Sequence, residues 1–237
     1  PKAVEHLEHS LNLKRELEDK AGEAVTLNNL GAISVTSGRL DDAQRLFESA
    51  ASQGYAEGRA GVGQVWLKRR QYARAMEAFQ LAQKMDANLP LAYYGQGEVL
   101  RRQDKCAEAL PLLQRATEMD RKFPEAQLAL GDCLIQAKQH AQAVAVLTQG
   151  LKWGPRWEPR FLVALGNAEL ARDSLRDAGI YYTQAREKAP DDPAPRRALG
   201  DFYMKRGTFE LAIPEYQAAI EKDSIDIELR YALGQAF

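Results

Sequence analysis

Cysteine is nearly absent: two in 237 residues, Cys106 and Cys133, 27 positions apart. That spacing fits neither a zinc site nor a disulfide framework, so both are read as free thiols, which leans toward a reducing compartment. Long apolar runs are missing too. Nowhere do about 18 apolar residues follow one another, which excludes a membrane-spanning helix within this sequence. The opening residues, PKAVEHLEHS, lack the charged-then-apolar pattern of a secretory signal. A cytoplasmic setting is favoured, and a bacterial periplasm or envelope fits if the full-length protein carries a signal. Neither sign of charge is in excess, with 32 basic against 33 acidic residues and a net charge of −1. The chain therefore exerts no general pull on phosphate, and nucleic acid is not an expected partner.

Signatures of chemistry are also lacking. There is no GxSxG, no HExxH, no Walker loop and no cysteine paired with an ordered histidine. His6 and His9 stand i, i+3 on a helix, but further ligands are not spaced to join them, and a solvated face is the expectation. The GVG at Gly61 to Gly63 and the GQG at Gly95 to Gly97 do not follow strands, so neither reads as a phosphate loop. The 33 carboxylates read as solvated helical faces balancing the bases. No enzyme activity, metal or cofactor is expected.

What is present is a repeat. Gly31, Gly63, Gly97, Gly131, Gly166, Gly200 and Gly234 follow one another at steps of 32, 34, 34, 35, 34 and 34 residues. With that glycine numbered 8 in each unit, position 20 is Ala43, Ala75, Ala109, Ala143, Ala178 and Ala212. Position 24 is Phe47, Phe79, Leu113, Leu147, Tyr182 and Tyr216, and position 27 is small throughout. Positions 20, 24 and 27 share one helical face, and 4, 7, 8 and 11 share another. Each unit is thus helix A, turn, helix B, with the glycine marking a close approach of the two. Pro111 and Pro214, both at position 22, fit near the start of a helix B, a kink being the alternative.

This pattern resembles the tetratricopeptide repeat, with Leu30, Leu130, Leu165 and Leu199 at position 7 and Pro155 and Pro190 at position 32. The resemblance implies an all-α fold, a right-handed α-solenoid of helix-turn-helix hairpins forming one superhelical domain over 1–237. Residues 1–23 read as a partial repeat, a lone helix B with a longer tail. Complete repeats follow at 24–55, 56–89, 90–123, 124–158, 159–192 and 193–226, and 227–237 read as a partial helix A. A fragment of a larger protein is implied. The tail, RELEDKAGEAVTLNNLGAI, is also similar to the longer-spaced repeats of kinesin light chains and bacterial peptide-sensing regulators, chiefly through Asn28 and Asn29.

In the resembled family, positions 2, 5, 9, 12 and 13 of helix A face a concave groove. The candidate groove residues here are Asn28, Lys68, Tyr94, Glu98, Arg101, Asp132, Gln136, Arg160, Asn167, Arg197, Asp201 and Lys205. Amides and carboxylates at position 9 suit the backbone of an extended peptide. Lys68, Arg101, Arg102, Arg160, Arg197 and Lys205 suit acidic side chains, in two clusters. The bland alternative is that position 9 is simply exposed. The lysine-and-asparagine set with which some co-chaperones of this family grip a C-terminal carboxylate is not reproduced, since Ala32 follows Asn28 and Val163 precedes Asn167. Trp153 and Trp157 either form a docking spot or cover the edge between two units. The expected function is a protein–protein interaction scaffold binding a peptide or partner protein. The alternatives are a peptide-sensing domain attached to a missing effector, and self-association through end repeats exposing Leu7 and Leu233.

Overall fold

The structure, a computed structural model, describes residues 2–222 and 226–236; Ser224, the position 32 of its repeat, lies outside them. The chain forms two compact units, Pro1–Phe123 and Pro124–Phe237. The first holds α1 (Lys2–Glu16), α2 (Lys20–Thr36), α3 (Leu40–Ser52), α4 (Ala56–Lys68), α5 (Tyr72–Met85), α6 (Pro90–Arg101) and α7 (Cys106–Met119). The second holds α8 (Pro124–Gln136), α9 (His140–Gly150), a 3-10 turn Leu151–Trp153, α10 (Glu158–Ala171), α11 (Leu175–Lys188), α12 (Pro193–Lys205), α13 (Phe209–Lys222) and α14 (Ile227–Ala236). The described residues contain no strand, and no helix among them is long and apolar enough to cross a membrane.

From α2 onward the even-numbered helices are the A helices and the odd-numbered ones the B helices. The long tail after α1 resolves into the end of that helix, a turn through Glu18 at φ 56°, and the first turn of α2. Asp19 caps α2 by accepting a hydrogen bond from the Gly22 N–H at 2.9 Å. Within each unit the A and B helices of a hairpin pack on each other, and successive A helices pack together. Pro111 and Pro214 are the sixth residues of α7 and α13, past the first turn, so each helix forgoes an interior N–H bond there.

One backbone feature recurs in all six hairpins and was not read from the sequence. Position 15, occupied by Gly38, Arg70, Asp104, Lys138, Asp173 and Gly207, has φ between 58° and 74°. In each case the next residue donates its N–H to the carbonyl at position 11, as from Arg39 to Ser34 at 2.9 Å and from Gln139 to Leu134 at 2.8 Å. This is the left-handed helix stop that satisfies orphan carbonyls. Only two of the six positions carry glycine, which is why composition did not reveal it.

The glycine at position 8 meets position 24 of its own hairpin. A Cβ on Gly31 would stand 2.6 Å from the Phe47 ring, one on Gly131 2.5 Å from Leu147, and one on Gly166 2.6 Å from the Tyr182 ring. Gly61 and Gly95, the first glycines of GVG and GQG, lie against the Phe47 and Phe79 rings of the preceding hairpin. Both are therefore packing residues. The alanines at position 20 are all fully buried.

The cysteines correct an expectation. Neither Cys106 nor Cys133 is a free thiol; both are buried and disulfide-bonded. Sequence spacing judges a local ligand or disulfide motif and does not report which side chains meet once the chain has folded. The argument from free thiols to a reducing compartment loses its basis.

Candidate functional site

The A helices carry the candidate residues, and the two units treat them differently. In the first unit Asn28 is half-buried on α2 and Lys68 exposed at the end of α4. The Tyr94 ring packs 4.8 Å from that of Phe123. Glu98 is buried and held by both arginines that follow it: Arg101 Nε donates to its Oε2 at 2.7 Å and Arg102 Nε to its Oε1 at 2.8 Å. Burial alone would raise the Glu98 carboxyl, but the bonds and charges of Arg101 and Arg102 outweigh it and hold it below the usual value. The expected basic cluster of this unit is thus largely spent on its own glutamate.

The first unit also contains a concavity of about 400 Å³ between α1, α2 and α3. None of the candidate residues lines it. Its three arginines are held by carboxylates of the chain, Arg15 by Glu23 at 2.7 Å and both Arg39 and Arg45 by Asp42, and Glu8 is a further charge on its wall.

In the second unit the structure gathers the candidates. A concavity of about 310 Å³ between α10 and α12 is walled by Asn167, Arg197, Asp201 and Lys205 over Val163, Leu170, Ala198 and Phe202. It continues, through the shared Val163 and Ala194, into one of about 210 Å³ lined by Arg160, Pro159, Pro195 and Asp192. Polar and basic groups thus stand along an apolar floor. Arg160 and Lys205 make no ion pair among the described residues, and the Arg160 guanidinium lies 5.5 Å from the Trp157 ring centroid. Asp132 and Gln136 sit on α8, half-buried and exposed respectively, and line neither hollow.

Two hydroxyls organise this row. Tyr182 donates to Asn167 Oδ1 and Tyr216 to Asp201 Oδ1, each at 2.7 Å. Both join position 24 of helix B to position 9 of its own helix A. The earlier hairpins have Phe or Leu at 24 and cannot make this bond. With Oδ1 occupied, the Asn167 amide NH₂ and the Asp201 Oδ2 remain for the groove. The signal was present in the sequence, as tyrosine at 24 wherever the position 9 partner is Asn167 or Asp201.

Arg197 is the most engaged candidate: Nη2 donates to Glu228 Oε2 at 2.9 Å and Nη1 to Asp226 Oδ2 at 3.3 Å. The bond to Glu228, with the surrounding carboxylate charges, strengthens its hold on its proton. Also unforeseen was Glu215, buried on α13, which pairs with Arg186 of α11 at 2.5 Å and Arg196 of α12 at 3.3 Å. The tryptophan pair divides. Trp153 donates its indole N–H to Gln127 Oε1 at 2.6 Å and is built into the unit. Trp157 has the Arg156 and Arg160 guanidiniums 5.8 and 5.5 Å from its ring centroid.

Comparison with known proteins agrees with this periodicity. Family models described as Tetratricopeptide repeat match residues 1–53, 33–90 and 100–168, and one described as TPR repeat matches 200–237. No curated protein sequence matches. Among solved structures, a chain of the APC/C hetero-tetramer Cut9-Hcn1 superposes with TM-score 0.81 at 16% identity. That match covers 99% of this chain and 46% of the other, so the chain spans about half the matched protein. A tetratricopeptide repeat protein from Parabacteroides merdae ATCC 43184 gives TM-score 0.70 at 12% identity over 100% and 99% of the two chains. PilW, a type IV pilus biogenesis factor, gives 0.72 at 16% identity over 89% and 98%. At these identities the structures show the fold alone. The residues no family model matches, 91–99 and 169–199, keep the same glycine-to-position-24 contact at Gly97 with Leu113 and the same helix stop at Asp173. By sequence period, hairpin packing and family match together, the chain belongs to the tetratricopeptide repeat family.

Proposed function

We propose that this chain is a non-enzymatic scaffold whose second unit holds an extended segment of a partner protein in the groove between α10 and α12. The family membership makes protein–protein interaction the general role. The observation that carries the finer reading is the row Arg160, Asn167, Arg197, Asp201 and Lys205 standing over an apolar floor. Its polar atoms match what a peptide offers: backbone amides and carbonyls for Asn167 and Asp201, acidic side chains for the bases, and apolar side chains for Val163, Leu170 and Phe202. Helix α12 is 13 residues long, roughly 20 Å at 1.5 Å per residue, enough to accompany about six extended residues. Two structural neighbours come from a hetero-tetramer and from pilus biogenesis, which is consistent with a role inside an assembly.

The test is affinity capture from native lysate with the wild type and with Asn167→Ala/Arg197→Ala. The double variant should melt within a few degrees of wild type and lose its partners. Recovery of the same partners at equal strength would show that another surface binds.

A further inference from the structure

One of the groove's two arginines, Arg197, is already occupied by the chain itself. Arg197 stands at position 5 of α12, the one arginine in the position 5 series of Asn28, Ala60, Tyr94, Leu128, Val163, Arg197 and Tyr231. It lines the hollow between α10 and α12 and is about 40% exposed. Its two terminal nitrogens are taken by carboxylates two residues apart, Asp226 and Glu228, from the start of the next A helix, α14. Asp201, one turn further along α12, adds a third negative charge nearby. Glu228 is 79% exposed, and Ile227 between the two acids is 81% exposed and packs on little. Nothing in the local packing requires Glu228 to lie where it does. Asp226 has a second task, since its Oδ1 accepts the Leu229 N–H at 3.0 Å as an N-cap.

Building on the groove reading above, we propose that Asp226-Ile227-Glu228 is a built-in competitor for Arg197, and that its form discloses the ligand Arg197 takes: an acidic peptide segment with two carboxylates at positions i and i+2. A guanidinium offers a planar fork of donors that two carboxylate oxygens satisfy together. A partner segment of that chemistry exchanges for the internal one without leaving an unpartnered buried charge behind, because Glu228 returns to water and Asp226 keeps the Leu229 N–H. Ion pairs of this exposure are weak, so the internal contact tunes affinity and does not block the site. The binding-competent fraction is the fraction in which Arg197 is released, and apparent affinity scales with it.

The experiment uses the intact chain and the probe fluorescein-Gly-Gly-Asp-Ile-Glu-Leu-amide, read by fluorescence anisotropy at low salt. Asp226→Asn/Glu228→Gln removes both charges while asparagine keeps the cap, and it should bind the probe about three- to tenfold more tightly than wild type. Adding Arg197→Gln should abolish that gain, and raising the salt to about 1 M should erase it. If circular dichroism shows helix loss in the double variant, Glu228→Gln alone, which touches no cap, should still give a gain of at least twofold. Equal affinity, or no binding of the probe by wild type and variants alike, overturns the competitor. The groove reading is judged separately by partner capture: unchanged capture with Asn167→Ala/Arg197→Ala sinks that reading, whereas reduced capture with unchanged probe affinity sinks the competitor alone.

Discussion

At the scale of single residues, the helix stop at position 15 sets a conformational demand that composition does not show. Gly38 and Gly207 meet it without strain, and no atom lies within 4 Å of a Cβ built on either. Gly38→Ala should therefore cost about 1 kcal/mol from backbone conformation alone, measured by urea unfolding. Lys138→Gly, at φ 59°, should be neutral or gain up to about 1 kcal/mol. A larger loss in the lysine variant would mean that its side chain matters more than its φ. The tyrosines make a pH prediction. Burial first, then the Asp201 carboxylate, push the Tyr182 phenol above its ordinary value. Burial, the hydrogen bond to Asp201 and that charge do the same for Tyr216, against Arg197. The folded pKa is thus raised over an unfolded value of about 10, so this stabilisation is whole below pH about 10 and is lost as pH rises toward the folded value. Tyr182→Phe/Tyr216→Phe should flatten the alkaline fall of the urea midpoint between about pH 10 and 11.5. An unchanged slope would show that other groups control it.

At the scale of helices, stability rests on small residues where A and B cross. Ala143 is wholly buried on α9, and Ala143→Leu should lower stability by about 1 to 3 kcal/mol in thermal melts. Unchanged melting would refute the repeat register. Glu215 ties α13 to α11 and α12 through two arginines that are about a quarter to a third exposed. Glu215→Ala leaves both partners uncompensated, yet partly hydrated, so a cost of about 1 to 3 kcal/mol is expected, below that of a fully buried pair. The apolar residues expected to need cover at the ends, Leu7 and Leu233, are each partly buried against their own unit. The small-large-small alternation at 20, 24 and 27 was legible because helix packing repeats at a fixed period. The Glu215 tie was not, because it joins residues 19 and 29 positions apart that no periodic rule pairs.

At the scale of the whole molecule, each hairpin packs on its neighbours within its unit, so damage should stay local. In hydrogen exchange read by mass spectrometry, Glu215→Ala should speed exchange in α11 to α13 and leave α3 to α5 unchanged. Uniform loss of protection along the chain would mean global unfolding as one body. A pilus biogenesis factor and a chain of the APC/C hetero-tetramer Cut9-Hcn1 share this fold with the chain at 16% identity, so architecture alone cannot select a partner. In the function proposed above, selection falls to side chains on the A helices.

The sequence by itself determined the all-α class, the hairpin register and the residues that had to be small, because a helical period of 3.6 inside a repeat of about 34 returns the same small or large demand to the same core positions. It also put Arg160, Asn167, Arg197, Asp201 and Lys205 among the candidates. Only the tertiary structure decided that these five line connected hollows while Glu98, Arg101 and Arg102 satisfy one another. It alone revealed that Arg197 is held by Asp226 and Glu228 and that the cysteines are not free. The physical reason is common to all of these: periodicity reports which face of a helix a residue occupies, whereas pairing depends on where the ends of long polar side chains meet across different helices.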